Sequence, residues 1–189
     1  PASDFTYSKS CFGEPVYFAD ITSTQAYEPI ISWQWNFGDG SSSSISNPVH
    51  NYDTAQTYNV SLTVQSLNGC YGQITKPVTL HALPVAGFEI QKACEGLPVQ
   101  FNDISYVNND TVINWIWSYN NNIFSVDQNP KYIFPTNGSF PVQLIVNTSA
   151  GCRDTIIKNV DVSTLPVSDF SFTPDYGVPP LTVNFNNQS

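Results

Sequence analysis

Two stretches of the chain alternate between apolar and polar residues with a period of two. Ile31, Trp33, Trp35 and Phe37 share one face, and Ser32, Gln34 and Asn36 share the other. Tyr58, Val60, Leu62 and Val64 alternate in the same way with Asn59, Ser61, Thr63 and Gln65. A period of two belongs to half-buried strands, whereas the apolar face of a helix repeats every 3.6 residues. Turn signals recur about every 8–12 residues and no convincing helical pattern occurs, which indicates an all-β fold of antiparallel sandwiches. The first stretch predicts a strand that turns Ile31, Trp33, Trp35 and Phe37 into one core. Asp39-Gly40 then ends it in a hairpin, since both residues tolerate positive φ.

The pattern repeats along the chain. Residues 47–70 realign on 129–152 at an offset of 82, with Asn47-Pro48 on Asn129-Pro130, Leu62 on Leu144 and Gly69-Cys70 on Gly151-Cys152. Trp33 and Trp35 fall on Trp115 and Trp117 at the same offset, and Phe5, Cys11 and Pro15 fall on Phe88, Cys94 and Pro98 at 83. PVSDFSF at 166–172 then matches PASDFTY at 1–7. Repetition at a fixed period signals an array of similar units. The expected organisation is one sandwich over 1–83, a second over 84–165, and the first two strands of a third over 166–189. Proline-stiffened linkers at 80–84 and 165–166 join them, and the whole reads as a segment of a longer tandem array.

Composition narrows the functions open to such an array. The 189 residues are 41% apolar, enough for real cores, but only 11% are charged, against about 25% in an average soluble domain. Fifteen acids and six bases give a net charge of −9. That balance excludes nucleic acid and anionic lipid surfaces as partners, since both demand clustered Lys and Arg. No apolar run approaches the ~20 residues of a membrane helix. The four cysteines include no Cys-x-x-Cys pair and the only histidines are His50 and His81, so zinc ligands are not clustered and disulfides in an oxidising compartment are the better reading.

Candidate chemistry is sparse. A sugar-binding platform at Trp33 and Trp35 would need its rings on the solvent face, and the alternation places them in the core, as it does Trp115 and Trp117. A phosphate loop at Gly38-Asp39-Gly40 would need a following helix and a lysine. In the second unit the aligned residues are Asn120, Asn121 and Asn122; asparagine tolerates left-handed geometry, so the turn survives without the acid. His50 aligns with Tyr132 and His81 falls in a linker, which offers no histidine placed for nucleophilic catalysis. Dispersed acids offer no carboxylate pair for glycoside hydrolysis. No enzyme activity is expected and no cofactor is required. Asp4, Asp20, Glu28 and Asp39 are candidate calcium ligands, but their spacing resembles no calcium loop.

WNFGDG (35–40), NPVHNY (47–52), TYNVSLTV (57–64) and NGC (68–70) together resemble the polycystic-kidney-disease (PKD) type of immunoglobulin-like domain, in particular tandem PKD modules of secreted or cell-surface proteins of Bacteroidota. The second unit departs from the pattern by lacking FGDG. The resemblance implies a sandwich of about seven strands without catalytic residues, export through the type IX pathway, and an extracellular location. It implies a stiff stalk or filament segment of a surface adhesin, whose partners are neighbouring modules or other surface subunits. The alternative is an accessory carbohydrate-binding module beside a secreted polysaccharide hydrolase. Asp53-Thr54-Ala55, Asp110-Thr111-Val112 and Asp154-Thr155-Ile156 resemble the tripeptides at which Bacteroidota O-glycosylate exported proteins, which marks Thr54, Thr111 and Thr155.

Two cysteine pairings remain open within that fold. One bridge per module would join Cys11 to Cys70 and Cys94 to Cys152. Cys11, however, is expected after the first strand at the C-terminal end of its module, and Cys70 at the N-terminal end. The strand between those ends spans roughly 26 Å at 3.3 Å per residue, while a disulfide needs α-carbons within about 7 Å. The geometry favours Cys11 with Cys152 across the junction, leaving Cys70 and Cys94 for neighbouring modules.

Overall fold

The computed structural model describes residues 1–8, 10–25 and 28–189. The first module contains β1 (Phe5–Tyr7), β2 (Val16–Asp20), β3 (Ile30–Asn36), β4 (Ser42–Ser43), β5 (Val49–His50), β6 (Thr57–Ser66) and β7 (Tyr71–Thr79). They form two facing sheets, ordered β1-β2-β5 and β4-β3-β6-β7. The second module contains β8 (Phe88–Ile90), β9 (Ala93–Cys94), β10 (Pro98–Asp103), β11 (Val112–Tyr119), β12 (Asn122–Ser125), β13 (Lys131–Ile133), β14 (Gly138–Thr148) and β15 (Arg153–Ser163). Its sheets run β13-β10-β8 and β12-β11-β14-β15-β9. The protein is all-β, and no helix occurs among the described residues.

Each module closes around one tryptophan. Trp35 is fully buried and meets the rings of Phe5 and Phe18 from the opposite sheet at 5.2 and 5.5 Å. Trp117 repeats the arrangement with Phe88 and Phe101 at 5.2 and 5.3 Å. Tyr58, Val60, Leu62 and Val64 of β6 line the first core, as the alternation requires. The inner faces of the two sheets thus remove a continuous aromatic and aliphatic layer from water, the dominant stabilising contribution in a sandwich.

The β3 expectation needs one correction. Ile31 is 53% exposed, because the pairing of β3 with β6 shifts register between Ile30 and Ser32. The bulge turns Ile31 outward, and Ile30 packs against the core instead. A single extra residue reverses every face upstream of it. Trp33 and Trp115 are only partly buried at the core margin. Each indole Nε1 donates to a carboxylate of the opposite sheet, Asp20 for Trp33 and Asp103 for Trp115, both at 2.7 Å.

Residues beyond the second module form a hairpin of β16 (Phe170–Thr173) and β17 (Asn184–Asn187). Its register repeats that of β1 and β2: Phe172 lies opposite Phe185 as Tyr7 lies opposite Phe18. Phe170 and Phe185 are 60% and 69% exposed, whereas Phe5 and Phe18 in the first module are 1% and 2% exposed.

Candidate functional site at the module junction

The peptide link between the modules is short and hydrogen-bonded at both ends. Leu80 is buried, and its amide donates to Gln56 O at 3.0 Å. His81 N donates to Ser10 O, and His81 O accepts from Phe12 N, both at 2.9 Å, a parallel bridge beside Cys11. The ladder resumes at Val85, which exchanges hydrogen bonds with Tyr106. Ala86 N donates to Asp154 Oδ2 at 2.9 Å. Between these anchors lie Ala82, Leu83 and Pro84, the last with its φ fixed by the pyrrolidine ring.

A second, covalent connection crosses the same junction. Cys11 of the first module and Cys152 of the second form a disulfide with α-carbons 5.7 Å apart, and both residues are buried. Cys11 sits in the β1–β2 loop at the C-terminal end of its module, next to His81. Cys152 follows the β14–β15 turn, where Thr148 N donates to Cys152 O at 2.8 Å and Gly151 N to Thr148 O at 3.0 Å. That turn is braced from the side by Asp110, whose carboxylate accepts from the Ser149 hydroxyl, Thr111 N and Ala150 N. Hydrogen bonds from the Ser149 and Thr148 hydroxyls hold the Asp110 carboxyl well below the usual carboxylate range. Cys70 and Cys94 are free thiols, the first exposed and the second half-buried.

The two modules are thus joined at two points, by the linker and by the disulfide. The chain-entropy model puts closure of a loop of 141 residues at about 5 kcal/mol against joint unfolding of both modules.

Asp39 and Ser41 of the β3–β4 turn contact His50 of β5, a grouping that sequence order does not disclose. His50 Nε2 lies 2.6 Å from Asp39 Oδ2 and 3.2 Å from Ser41 Oγ, while the Ser41 hydroxyl also donates to Asp39 Oδ1. A catalytic relay needs the hydroxyl and the carboxylate on opposite ring nitrogens. Here both address the same nitrogen. The imidazole is also stacked on Phe37 with ring centres 4.1 Å apart and meets Tyr52 edge-on at 4.5 Å. Burial raises the Asp39 pKa, but the hydrogen bonds from Ser41 and His50 outweigh it and hold the carboxyl at about 2. The cluster clips the turn onto β5.

The four acids considered for calcium are not brought together. Asp4 pairs with Lys76 and Asp39 with His50, Asp20 accepts from Trp33 Nε1, and Glu28 Oε1 accepts from the Ser66 hydroxyl at 2.6 Å. Among the described residues no group of three His, Cys, Asp or Glu side chains gathers around a common point. Thr54, Thr111 and Thr155 are all exposed. Thr54 Oγ1 lies 2.8 Å from the Tyr58 hydroxyl, which also donates to Thr54 O at 3.1 Å, so a substituent on Thr54 would displace that contact.

Sequence reading missed a lysine that serves each module in the same way. Lys76 Nζ donates to Phe5 O at 2.7 Å and stands 5.1 Å above the Phe5 ring. Lys158 Nζ does the same to Phe88, at 2.7 and 5.2 Å. Its signal was the repeat offset of 82 that relates the two lysines.

The profile of the PKD domain matches residues 1–82 and again 81–163. The chain belongs to the PKD domain family. A microbial collagenase of Vibrio alginolyticus is 38% identical over 76 residues, 40% of this chain and 9% of that protein. The pre-pro-metalloprotease PrtV of Vibrio cholerae serotype O1 is 30% identical over 142 residues, 74% of this chain and 15% of that protein. The chain therefore spans only a small part of the length of these relatives. Among solved structures, the fibronectin(III)-like modules of Clostridium thermocellum CbhA cover 85% of this chain and 95% of that one, with a TM-score of 0.51 and 11% identity. That likeness concerns the fold of tandem sandwiches alone.

Proposed function

We propose that the chain is a non-catalytic extracellular spacer, a stiff segment of a stalk or filament in a repetitive surface protein. The observation that carries this reading is the double connection between modules, through the three-residue link at 82–84 and through Cys11–Cys152. A disulfide at a buried junction suits an oxidising compartment, which supports an extracellular or cell-surface location. The β16–β17 hairpin, with the register of β1–β2 and its aromatic face uncovered, supports a third module beginning at residue 166. Exposed Thr54, Thr111 and Thr155 would carry glycans on this stalk, and an intact mass from the native host equal to the bare polypeptide would remove that part of the proposal.

Backbone 15N relaxation tests the stiffness. The oxidised chain should tumble as one elongated body, with rotational anisotropy shared by residues of both modules. Cys11→Ser should let the modules reorient separately. Equal anisotropy in the two proteins would overturn the role of the disulfide in stiffening.

A second reading, an accessory module beside a hydrolase, is supported by the similarity to segments of a collagenase and a metalloprotease. Retention of the isolated chain on immobilised polysaccharide or collagen would select it over the spacer.

A further inference from the structure

The second module carries a cleft that its architecture does not require. The cleft holds about 360 Å³ between the β10–β11 loop and the loop before β13, and Asp103, Tyr106, Asp110, Trp115 and Gln128 line it. That volume falls at the lower end of small-ligand sites, which run from roughly 300 to 1,000 Å³. Asp103 is held in place by three donors: Ser105 N on Oδ1 at 2.9 Å, and Trp115 Nε1 and Gln128 Nε2 on Oδ2 at 2.7 and 3.1 Å. A carboxylate offers about four acceptor positions, so one remains for a hydroxyl that enters the cleft. The Gln128 amide keeps a second N–H and its carbonyl oxygen beyond the bond to Asp103. Tyr106 is 60% exposed, and its backbone is fixed by the bridge to Val85.

The first module separates scaffold from addition. Trp33 Nε1 donates to Asp20 at 2.7 Å, as Trp115 does to Asp103. Asp20 N donates to Asn47 Oδ1 as Asp103 N donates to Asn129 Oδ1, and Ala2 bridges Ser23 as Val85 bridges Tyr106. Where the second module has Tyr106 and Gln128, however, the first has Ser23 and Ser46. The fold therefore needs neither the ring nor the amide. Both are present only in the second module, and both line the same cleft.

The lining chemistry selects a ligand class. An exposed phenol ring packs against the C–H face of a pyranose. A carboxylate beside a primary amide accepts from one sugar hydroxyl and donates to its neighbour. Two acids and no Lys, Arg or His line the cleft, and the chain carries a net charge of −9, so uronic and sulfated sugars are repelled. We propose that this cleft binds a neutral saccharide, with one sugar ring on Tyr106 and its hydroxyls shared between Asp103 and Gln128. The proposal rests on the accessory-module reading and names the site that reading requires.

The test uses recombinant chain unmodified at Thr111, since that residue also lines the cleft and a glycan there would fill it. Cellohexaose, xylohexaose and mannohexaose are each titrated into the 15N-labelled chain, with oligogalacturonate as the acidic control. At least one neutral hexaose should shift the Trp115 indole N–H and the amides of Asp103 and Tyr106, while the Trp33 indole N–H stays in place. Tyr106→Ser and Gln128→Ser install the residues of the first module, so the fold should persist and binding should weaken roughly tenfold or more in each, the scale of one packed ring or one hydrogen bond. Binding that shifts other residues, or that both variants retain in full, overturns the cleft as the site and leaves the accessory reading standing. Preference for oligogalacturonate, or no shift with any neutral hexaose, also overturns the proposal. The accessory reading is then judged separately, by retention of the chain on immobilised polysaccharide or collagen.

Discussion

Glu28 and Asp110 occupy one position in the two modules, and each carboxylate accepts a hydroxyl hydrogen bond from the turn that presents a cysteine. For Asp110 the donors are Ser149 and Thr148, with amides of Thr111 and Ala150 in support. Asp110→Asn keeps the shape but weakens these charge-assisted bonds, so the turn carrying Cys152 should loosen. We expect dithiothreitol to reduce Cys11–Cys152 several-fold faster in that variant. Glu28→Gln, which touches only the turn of Cys70, should leave the rate unchanged. Quenched-flow alkylation with mass detection measures both.

Asp39 makes the first module sensitive to acid in a defined window. Its folded pKa is depressed to about 2, against roughly 3.9 for an unfolded aspartate. Because the folded value lies below the unfolded one, its contribution is fully present above about pH 4 and is lost as pH falls through about 2. Asp39→Asn should therefore lower the urea midpoint of the first module at pH 5, and the gap to wild type should close between about pH 4 and pH 2. A gap independent of pH over that range would show that the Asp39 charge does not matter to the clip.

How far the sequence discloses this structure depends on the distance over which each feature is decided. The faces of β6 were legible because Tyr58, Val60, Leu62 and Val64 pair in unbroken register with β7. Ile31 was not, because a bulge between Ile30 and Ser32 reverses the pleat and local alternation carries no mark of it. The Asp39–His50 contact joins residues 11 apart around a turn, and the Lys76–Phe5 contact spans 71. Neither follows from spacing. The equivalence of Glu28 with Asp110 is present in the repeat offset, but spacing alone makes one acid a mere candidate calcium ligand and the other part of a glycosylation-like tripeptide. Only the turn geometry shows that they do the same job.

The two tryptophans of β3 should differ sharply in energetic weight. Trp35→Ala empties the centre of the first core and should cost about 3–5 kcal/mol. Trp33 lies at the margin, and Trp33→Phe keeps an aromatic ring while deleting the donor to Asp20. That loss should cost about 1.5–3 kcal/mol, the scale of a hydrogen bond to a charged acceptor. Chemical denaturation followed by indole fluorescence checks both, and equal costs would contradict the burial difference.

The loops that end β3 and β11 align in sequence but not in structure. Positive φ falls on Gly38 and Gly40 in the first module, at 82° and 95°, and on Asn120 and Asn121 in the second, at 49° and 61°. Asp39, expected to share the strain of its turn, is not among these positive-φ residues. In the second module Tyr119 pairs directly with Asn122, leaving a two-residue turn. In the first, Asn36 pairs with Ser42, and the loop is longer. Gly38 has a further constraint: a Cβ there would sit 2.8 Å from Asn59 O and 3.1 Å from Asn59 N. Asparagine therefore cannot replace Gly38 as the alignment suggests, although Asn120 stands at the aligned position. Gly38→Asn should destabilise the first module by about 2–3 kcal/mol, since backbone of β6 must shift to admit the side chain. Asn120→Gly, at a position whose φ glycine adopts freely, should change stability by less than about 1 kcal/mol. Urea denaturation of the two variants decides it, and a Gly38→Asn variant as stable as wild type would mean that the close approach to Asn59 relaxes without cost.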